Sequence, residues 1–154
     1  MKKILSIIAL SLGLFFLAGI STVNAQTVSG NIGTVTRGGS VRGTVTLSIP
    51  GGLHVNSNRP SSQYAIPTTM RVSAVGAKIS GISYPRGRNR KFQFSENLIN
   101  VYEGTVSFSF NLTVPANFKG NVVRVRAVVR YQACTDEVCY PPRSKEITLT
   151  ARVR

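Results

Sequence analysis

Four stretches of the chain alternate apolar and polar side chains with a period of two, and that alternation limits the fold more than any other feature. In 41–49, Val41, Val45, Leu47 and Ile49 fall on one face, with Arg42, Thr44, Thr46 and Ser48 on the other. In 106–114, Val106, Phe108, Phe110, Leu112 and Val114 alternate with Ser107, Ser109, Asn111 and Thr113. In 123–131, Val123, Val125, Ala127, Val129 and Tyr131 alternate with Arg124, Arg126, Val128 and Arg130. In 147–153, Ile147, Leu149, Ala151 and Val153 alternate with Thr148, Thr150 and Arg152. A period of two buries one face of a strand and wets the other, whereas a helix needs its apolar residues three and four apart. Weaker strands are expected near 53–56, 68–75, 77–84 and 91–101. Pro50-Gly51-Gly52, Tyr84-Pro85-Arg86-Gly87 and Phe118-Lys119-Gly120-Asn121 read as turns. Short, turn-separated strands without a helical stripe predict an all-β fold, an immunoglobulin-like antiparallel β-sandwich, with a closed barrel as the runner-up.

The start of the chain is different. Lys2 and Lys3 precede an apolar stretch from Ile4 to about Ile20, and Val23-Asn24-Ala25 then leads to Gln26. A basic start, an apolar centre and small residues at the cut describe a secretory signal peptide over residues 1–25, cleaved after Ala25. An uncleaved anchor helix would want a longer apolar core and no small-residue site. No Cys follows the apolar stretch to take a lipid. The expectation is an exported, periplasmic protein, with a flexible Gly-, Ser- and Thr-rich lead-in over 26–39 and one domain over 40–154. Losing the leader removes two of 19 basic side chains and none of five acidic ones, so the formal charge falls from +14 to +12.

That charge sits on a wet strand stripe, Arg124, Arg126 and Arg130, and in a basic loop, Arg86-Gly87-Arg88-Asn89-Arg90-Lys91. Nucleic-acid binding would interleave such cations with stacking aromatics, but aromatics are few here, Trp is absent and the chain is exported. A solvated basic face is the default. Docking to an acidic partner or to anionic lipid headgroups, through Arg86, Arg88, Arg90 and Lys91, is the functional alternative. No phosphate-binding loop, dinucleotide fingerprint or Ser-His-Asp arrangement is visible, and no cofactor is expected. The sequon Asn111-Leu112-Thr113 lies inside an expected strand and is discounted.

The two cysteines, Cys134 and Cys139, lie in Tyr131-Gln132-Ala133-Cys134-Thr135-Asp136-Glu137-Val138-Cys139-Tyr140-Pro141-Pro142, between the Arg-striped strand and the last strand. Four intervening residues let the chain bend back and bring the sulfurs within bonding reach. Closing so short a loop contributes only roughly 2 kcal/mol through chain entropy, a poor staple but one able to open without unfolding a sandwich. Spacing alone leaves a structural bridge and a redox pair both open. Asp136 and Glu137 disfavour a thiolate, while Arg130, Arg143 and Lys145 favour it, which suits exchange with a docked partner over indiscriminate reactivity. Two Cys and one distant His give a zinc ion at most three ligands, so no metal site is expected.

The cysteine segment resembles the redox loop in the amino-terminal periplasmic domain of the thiol:disulfide interchange protein DsbD family. So does Pro50-Gly51-Gly52-Leu53-His54-Val55-Asn56-Ser57-Asn58-Arg59-Pro60 with Ile66-Pro67-Thr68, and so does Val101-Tyr102-Glu103-Gly104 before a long strand. The resemblance implies an immunoglobulin-like dithiol shuttle, a thiol–disulfide interchange component acting as a protein-disulfide reductase. It would take electrons from a membrane-embedded thiol carrier and pass them to oxidised periplasmic proteins, such as disulfide isomerases or cytochrome c maturation factors. It assigns attack on the partner disulfide to Cys139 and resolution to Cys134. It also implies an aromatic cap over the pair, for which Tyr102 is the candidate, and places His54 and Asn56 near the cysteines. Tyr131 and Tyr140, which bracket the pair, are further candidate neighbours. Familiar members fuse this domain to a transmembrane carrier and a thioredoxin-like domain. The expectation here is a stand-alone version served by a separate carrier. A non-enzymatic binding module with a purely structural disulfide is the competing expectation.

Overall fold

A computed structural model of the chain describes residues 25–154, so the expected signal peptide lies outside the described residues apart from Ala25. The described residues form eleven strands: β1 (Thr27–Ile32), β2 (Ser40–Ser48), β3 (His54–Asn56), β4 (Thr69–Ala74), β5 (Lys78–Ser83), β6 (Arg88–Arg90), β7 (Ile99–Tyr102), β8 (Thr105–Thr113), β9 (Val122–Tyr131), β10 (Ala133–Cys134) and β11 (Arg143–Arg152). They make three sheets, ordered β1-β2-β8-β5, β10-β3-β7-β6 and β11-β9-β4, with every ladder antiparallel. The sheets stay open and face each other across a core, so the fold is an immunoglobulin-like antiparallel β-sandwich and not a closed barrel.

The alternating runs become the long central strands. β2 and β8 pair over their full length, from Ser40–Thr113 to Ser48–Thr105. Val45, Leu47, Phe108, Phe110 and Leu112 from those strands meet Val123, Val125, Ala127 and Val129 of β9 and Leu149 and Ala151 of β11 in one core. β11 begins at Arg143, earlier than its alternation does, because it pairs with the whole of β9. Where both partners keep the period, each pair sends both side chains to the same side of the sheet.

Two expectations are corrected. The stretch 26–39 is not a flexible lead-in. β1 lies along β2 from Thr27–Ser48 to Ile32–Gly43, Gln26 is buried, and Val35 docks beside Val153 through backbone bonds to Arg152 and Arg154. Its Gly- and Ser-rich composition hides an edge strand whose inward residues, Val28 and Ile32, pack at the margin of the core. At Gly30 a Cβ would sit 2.5 Å from the Thr44 carbonyl oxygen, so the glycine is there for close approach. The run 91–101 is not one strand. β6 and β7 form a hairpin, Arg90 opposite Ile99, and the chain between them leaves the sheet as a loop. Ser95, Glu96 and Asn97 break the run there, with the Ser95 hydroxyl donating to the Asn97 carbonyl at 2.8 Å.

Gly43 interrupts the apolar face of β2 where Phe110 lies opposite it. A Cβ there would stand 2.3 Å from Phe110 Cζ, and the ring is fully enclosed and cannot swing away. The glycine is the space the ring fills. Gly43→Val should therefore cost about 1–3 kcal/mol by overpacking, read as a lower urea midpoint. Gly51→Ala, where a Cβ would meet nothing within 4 Å, should change stability by less than about 0.5 kcal/mol.

Candidate functional site

The cysteines sit at the tip of a hairpin that continues the β9–β11 ladder. Cys134 ends β10 and faces Cys139 directly, with an S–S bond of 2.04 Å and Cα atoms 4.0 Å apart. Backbone bonds flank the pair on both sides: Thr135 N–H donates to the Val138 carbonyl at 2.8 Å and Tyr140 N–H to the Ala133 carbonyl at 2.8 Å. The cysteines thus occupy a non-hydrogen-bonded position, where facing side chains stand closest. The Thr135 hydroxyl oxygen also accepts from Glu137 N–H at 3.2 Å and Val138 N–H at 3.0 Å. These bonds brace the turn alongside the disulfide. The two thiols differ in access. Cys134 is fully buried, whereas Cys139 is exposed.

The pair borders a cleft of about 280 Å³. His54 of β3 lies opposite Cys134 in the β10–β3 ladder and lines the cleft together with Asn56. The Asn56 side-chain amide donates to the Ile66 carbonyl at 3.1 Å and to Gln132 Oε1 at 3.5 Å, tying the 57–68 loop to the hairpin base. His54 is buried, and desolvation lowers its pKa below the ordinary value. Asp136 and Glu103 oppose that shift and Arg90 assists it. Its ring stacks on Phe92 at 4.3 Å, and Phe92 stacks on Phe94 at 5.3 Å. The stack runs outward from two buried rings to the half-exposed Phe94, which lines the cleft with both cysteines. The site therefore offers one accessible sulfur, one enclosed sulfur, a neutral imidazole and an aromatic wall.

The family model for the thiol:disulfide interchange protein DsbD, N-terminal region, matches residues 27–151. The chain belongs to the DsbD N-terminal domain family. Membership and the Cys134–Cys139 disulfide together make it a thiol–disulfide exchange domain that interacts with other thiol proteins. Among solved structures, the N-terminal domain of DsbD from Neisseria meningitidis in its reduced form is 17% identical, with 81% of this chain and 86% of that one covered and a TM-score of 0.49. The N-terminal periplasmic domain of ScsB from Proteus mirabilis is 13% identical, with 82% of this chain and 46% of that one covered and a TM-score of 0.50. No curated protein sequence matches the chain.

Within this family member the residues singled out by sequence divide into two groups. His54 and Asn56 do lie with the cysteines. Tyr102 does not cap them: it is buried in the core, edge-on to Phe108. Its hydroxyl donates to Asn58 Oδ1 at 2.7 Å and to the Pro85 carbonyl at 3.1 Å, and accepts from Asn58 N–H at 3.3 Å. Burial raises its pKa. Tyr131 and Tyr140 line a second cleft, of about 650 Å³, on another side of the hairpin base. The Tyr131 hydroxyl meets Gln26 Oε1 at 3.4 Å. Sequence reasoning missed Phe92 and Phe94, because 91–101 reads as a strand. The basic loop is partly spoken for: Arg90 pairs with Glu103 at 2.8 Å and Lys91 Nζ donates to the Glu96 carbonyl. Arg86 and Arg88 line a separate open cleft with Arg59.

Two outcomes are expected. In the reduced protein, Cys139 should be alkylated before Cys134, faster on the order of tenfold, as mass spectrometry of partly modified protein would record. A His54 that resists protonation leaves the unfolded chain to bind the extra proton. Stability should therefore fall as pH drops below about 6.5, until pH reaches the lowered native value. Urea denaturation at neutral pH and at about pH 5.5 reads the loss, and His54→Phe should remove it. An equal loss in both proteins would exclude His54 as the cause.

Proposed function

We propose that this domain is a periplasmic electron relay, reduced by a membrane-embedded thiol carrier and oxidised by disulfide-bearing periplasmic proteins. The asymmetry of the pair supports this most directly: Cys139 is exposed at a hairpin tip while Cys134 is fully buried behind it. An outer thiol that attacks and an inner thiol that resolves is the division of labour two-step exchange requires.

In the forward direction the Cys139 thiolate attacks one sulfur of the partner disulfide. A Cys139–partner S–S bond forms, and the partner's second sulfur leaves as a thiolate and takes up a proton. The Cys134 thiol, its proton lost to His54 or water, then attacks the Cys139 sulfur. The intramolecular bond closes, the partner leaves as a dithiol, and two electrons have moved. Thiol exchange with the carrier runs the same steps in reverse. His54 stands beside the pair as a neutral imidazole, and because burial weakens it as a base, water takes the larger share of that proton. Phe94, on the outer end of the aromatic stack, walls the cleft beside the pair and gives a docking partner an apolar contact there. Export by the amino-terminal leader, cleaved after Ala25, puts the domain in an oxidising compartment, where acceptors in cytochrome c maturation or disulfide isomerisation would be found.

Trapping tests the relay. With Cys134 replaced by Ser, Cys139 should accumulate as a mixed disulfide with a periplasmic or membrane protein, released by dithiothreitol. The Cys139→Ser variant should trap far less. If neither variant forms an adduct and the native pair has a reduction potential below about −300 mV, the bridge is structural and the chain is a binding module.

A further inference from the structure

The outer face of the β11-β9-β4 sheet carries five arginines among Ser, Thr and Val residues. Arg124, Arg126 and Arg130 of β9 point away from the core. The register sets Arg71 of β4 opposite Val128 and Arg152 of β11 opposite Val122, on that same outward face. One acid, Glu146, shares the face, opposite Val128, and it engages Arg126 at 2.6 Å through both carboxylate oxygens. Arg71, Arg124, Arg130 and Arg152 take part in no ion pair and no side-chain hydrogen bond among the described residues, and all four are exposed. Alternate residues along a strand recur about every 6.6 Å and neighbouring strands lie about 4.8 Å apart, so the free cations form a dense lattice.

We infer that this face is a docking surface for anionic lipid headgroups. A specific protein partner is normally held by buried aromatic or aliphatic anchors in a pocket. Here the apolar members are only Val122 and Val128, and the clefts at the redox hairpin, at its base and at the 86–91 loop are lined by none of the five arginines. Repetition and unpaired guanidiniums fit a layer of phosphates, which each fork can meet with two hydrogen bonds. The 86–91 loop fits less well, since two of its cations are engaged within the protein. β9 and β11 lead through Gln132 and Pro141-Pro142 into the disulfide hairpin, so a domain lying on this face carries Cys139 with it to the bilayer. Delivery to a membrane carrier rests on the proposed relay, whereas lipid binding does not.

The test uses protein recovered from the exported fraction, its mass confirming loss of the apolar leader, in co-sedimentation with vesicles. Phosphatidylglycerol–phosphatidylcholine vesicles should bind it at low salt and release it at high salt, and pure phosphatidylcholine should not bind it. Replacing Arg71, Arg124, Arg130 and Arg152 by Gln should weaken binding by about fivefold for each cation removed. Glu146→Gln, which frees Arg126 and deletes the one acid, should tighten it by at least about fivefold and serves as the test if the quadruple variant misfolds. Arg86→Gln/Arg88→Gln should leave it within about twofold. Absence of binding to anionic vesicles, or an equal loss in the Arg86/Arg88 variant, would overturn the assignment. So would Glu146→Gln without effect, or binding confined to an acidic protein. Dithiothreitol reduction of the disulfide, followed without lipid, reports the redox pair separately.

Discussion

Register between β9 and β11 holds for ten consecutive pairs, from Tyr131–Arg143 to Val122–Arg152, and most of what the molecule does hangs on it. A shift of one residue would drive Arg124, Arg126 and Arg130 into the core and expel Val123, Val125, Ala127 and Val129. Burying even one unpaired guanidinium costs far more than the domain's whole margin of stability, so the register has no near competitor. Beyond Tyr131 the pairing resumes one residue out of step, Gln132 on one side against Pro141 and Pro142 on the other, before the bonds around Cys134 and Cys139 close the hairpin. Core, basic face and redox tip are three readings of one ladder.

A rigid base suits a site that must change its covalent state. The cysteines close a loop of four residues between neighbouring positions, so opening the bond frees little chain. Thr135 and the backbone bonds brace the turn through contacts that do not involve the sulfurs. The aromatic stack on His54 belongs to a loop carried by a different hairpin, β6–β7, so the aromatic wall of the cleft and the disulfide platform rest on separate elements.

The fold was legible because period-two alternation is a direct imprint of a half-buried sheet, and β2, β8, β9 and β11 carry it almost without fault. The site was legible in part. Cys134 and His54 come together on paired strands, β10 and β3, with Asn56 further along β3 and Cys139 bridged to Cys134, and these motifs stand out in the sequence. β1 was obscured by its small residues, since an edge strand that buries little leaves little apolar signal. Tyr102 misled because a tyrosine beside a turn looks the same whether its ring faces a cleft or the core. Its hydroxyl bonds to Asn58 and Pro85, far along the chain, decide the matter, and no local pattern encodes them. Phe92 and Phe94 were hidden within an apparent strand for the same reason.

The disulfide joins two residues that already face each other across one hairpin, and this has a consequence for recognition. The bond spans a single hairpin, so opening it gives the sheet order no reason to change. A partner that must distinguish donor from spent carrier has nothing global to read. Discrimination falls to the few ångströms around Cys139 and the edge of Phe94, so the message is spoken in contact and not in shape.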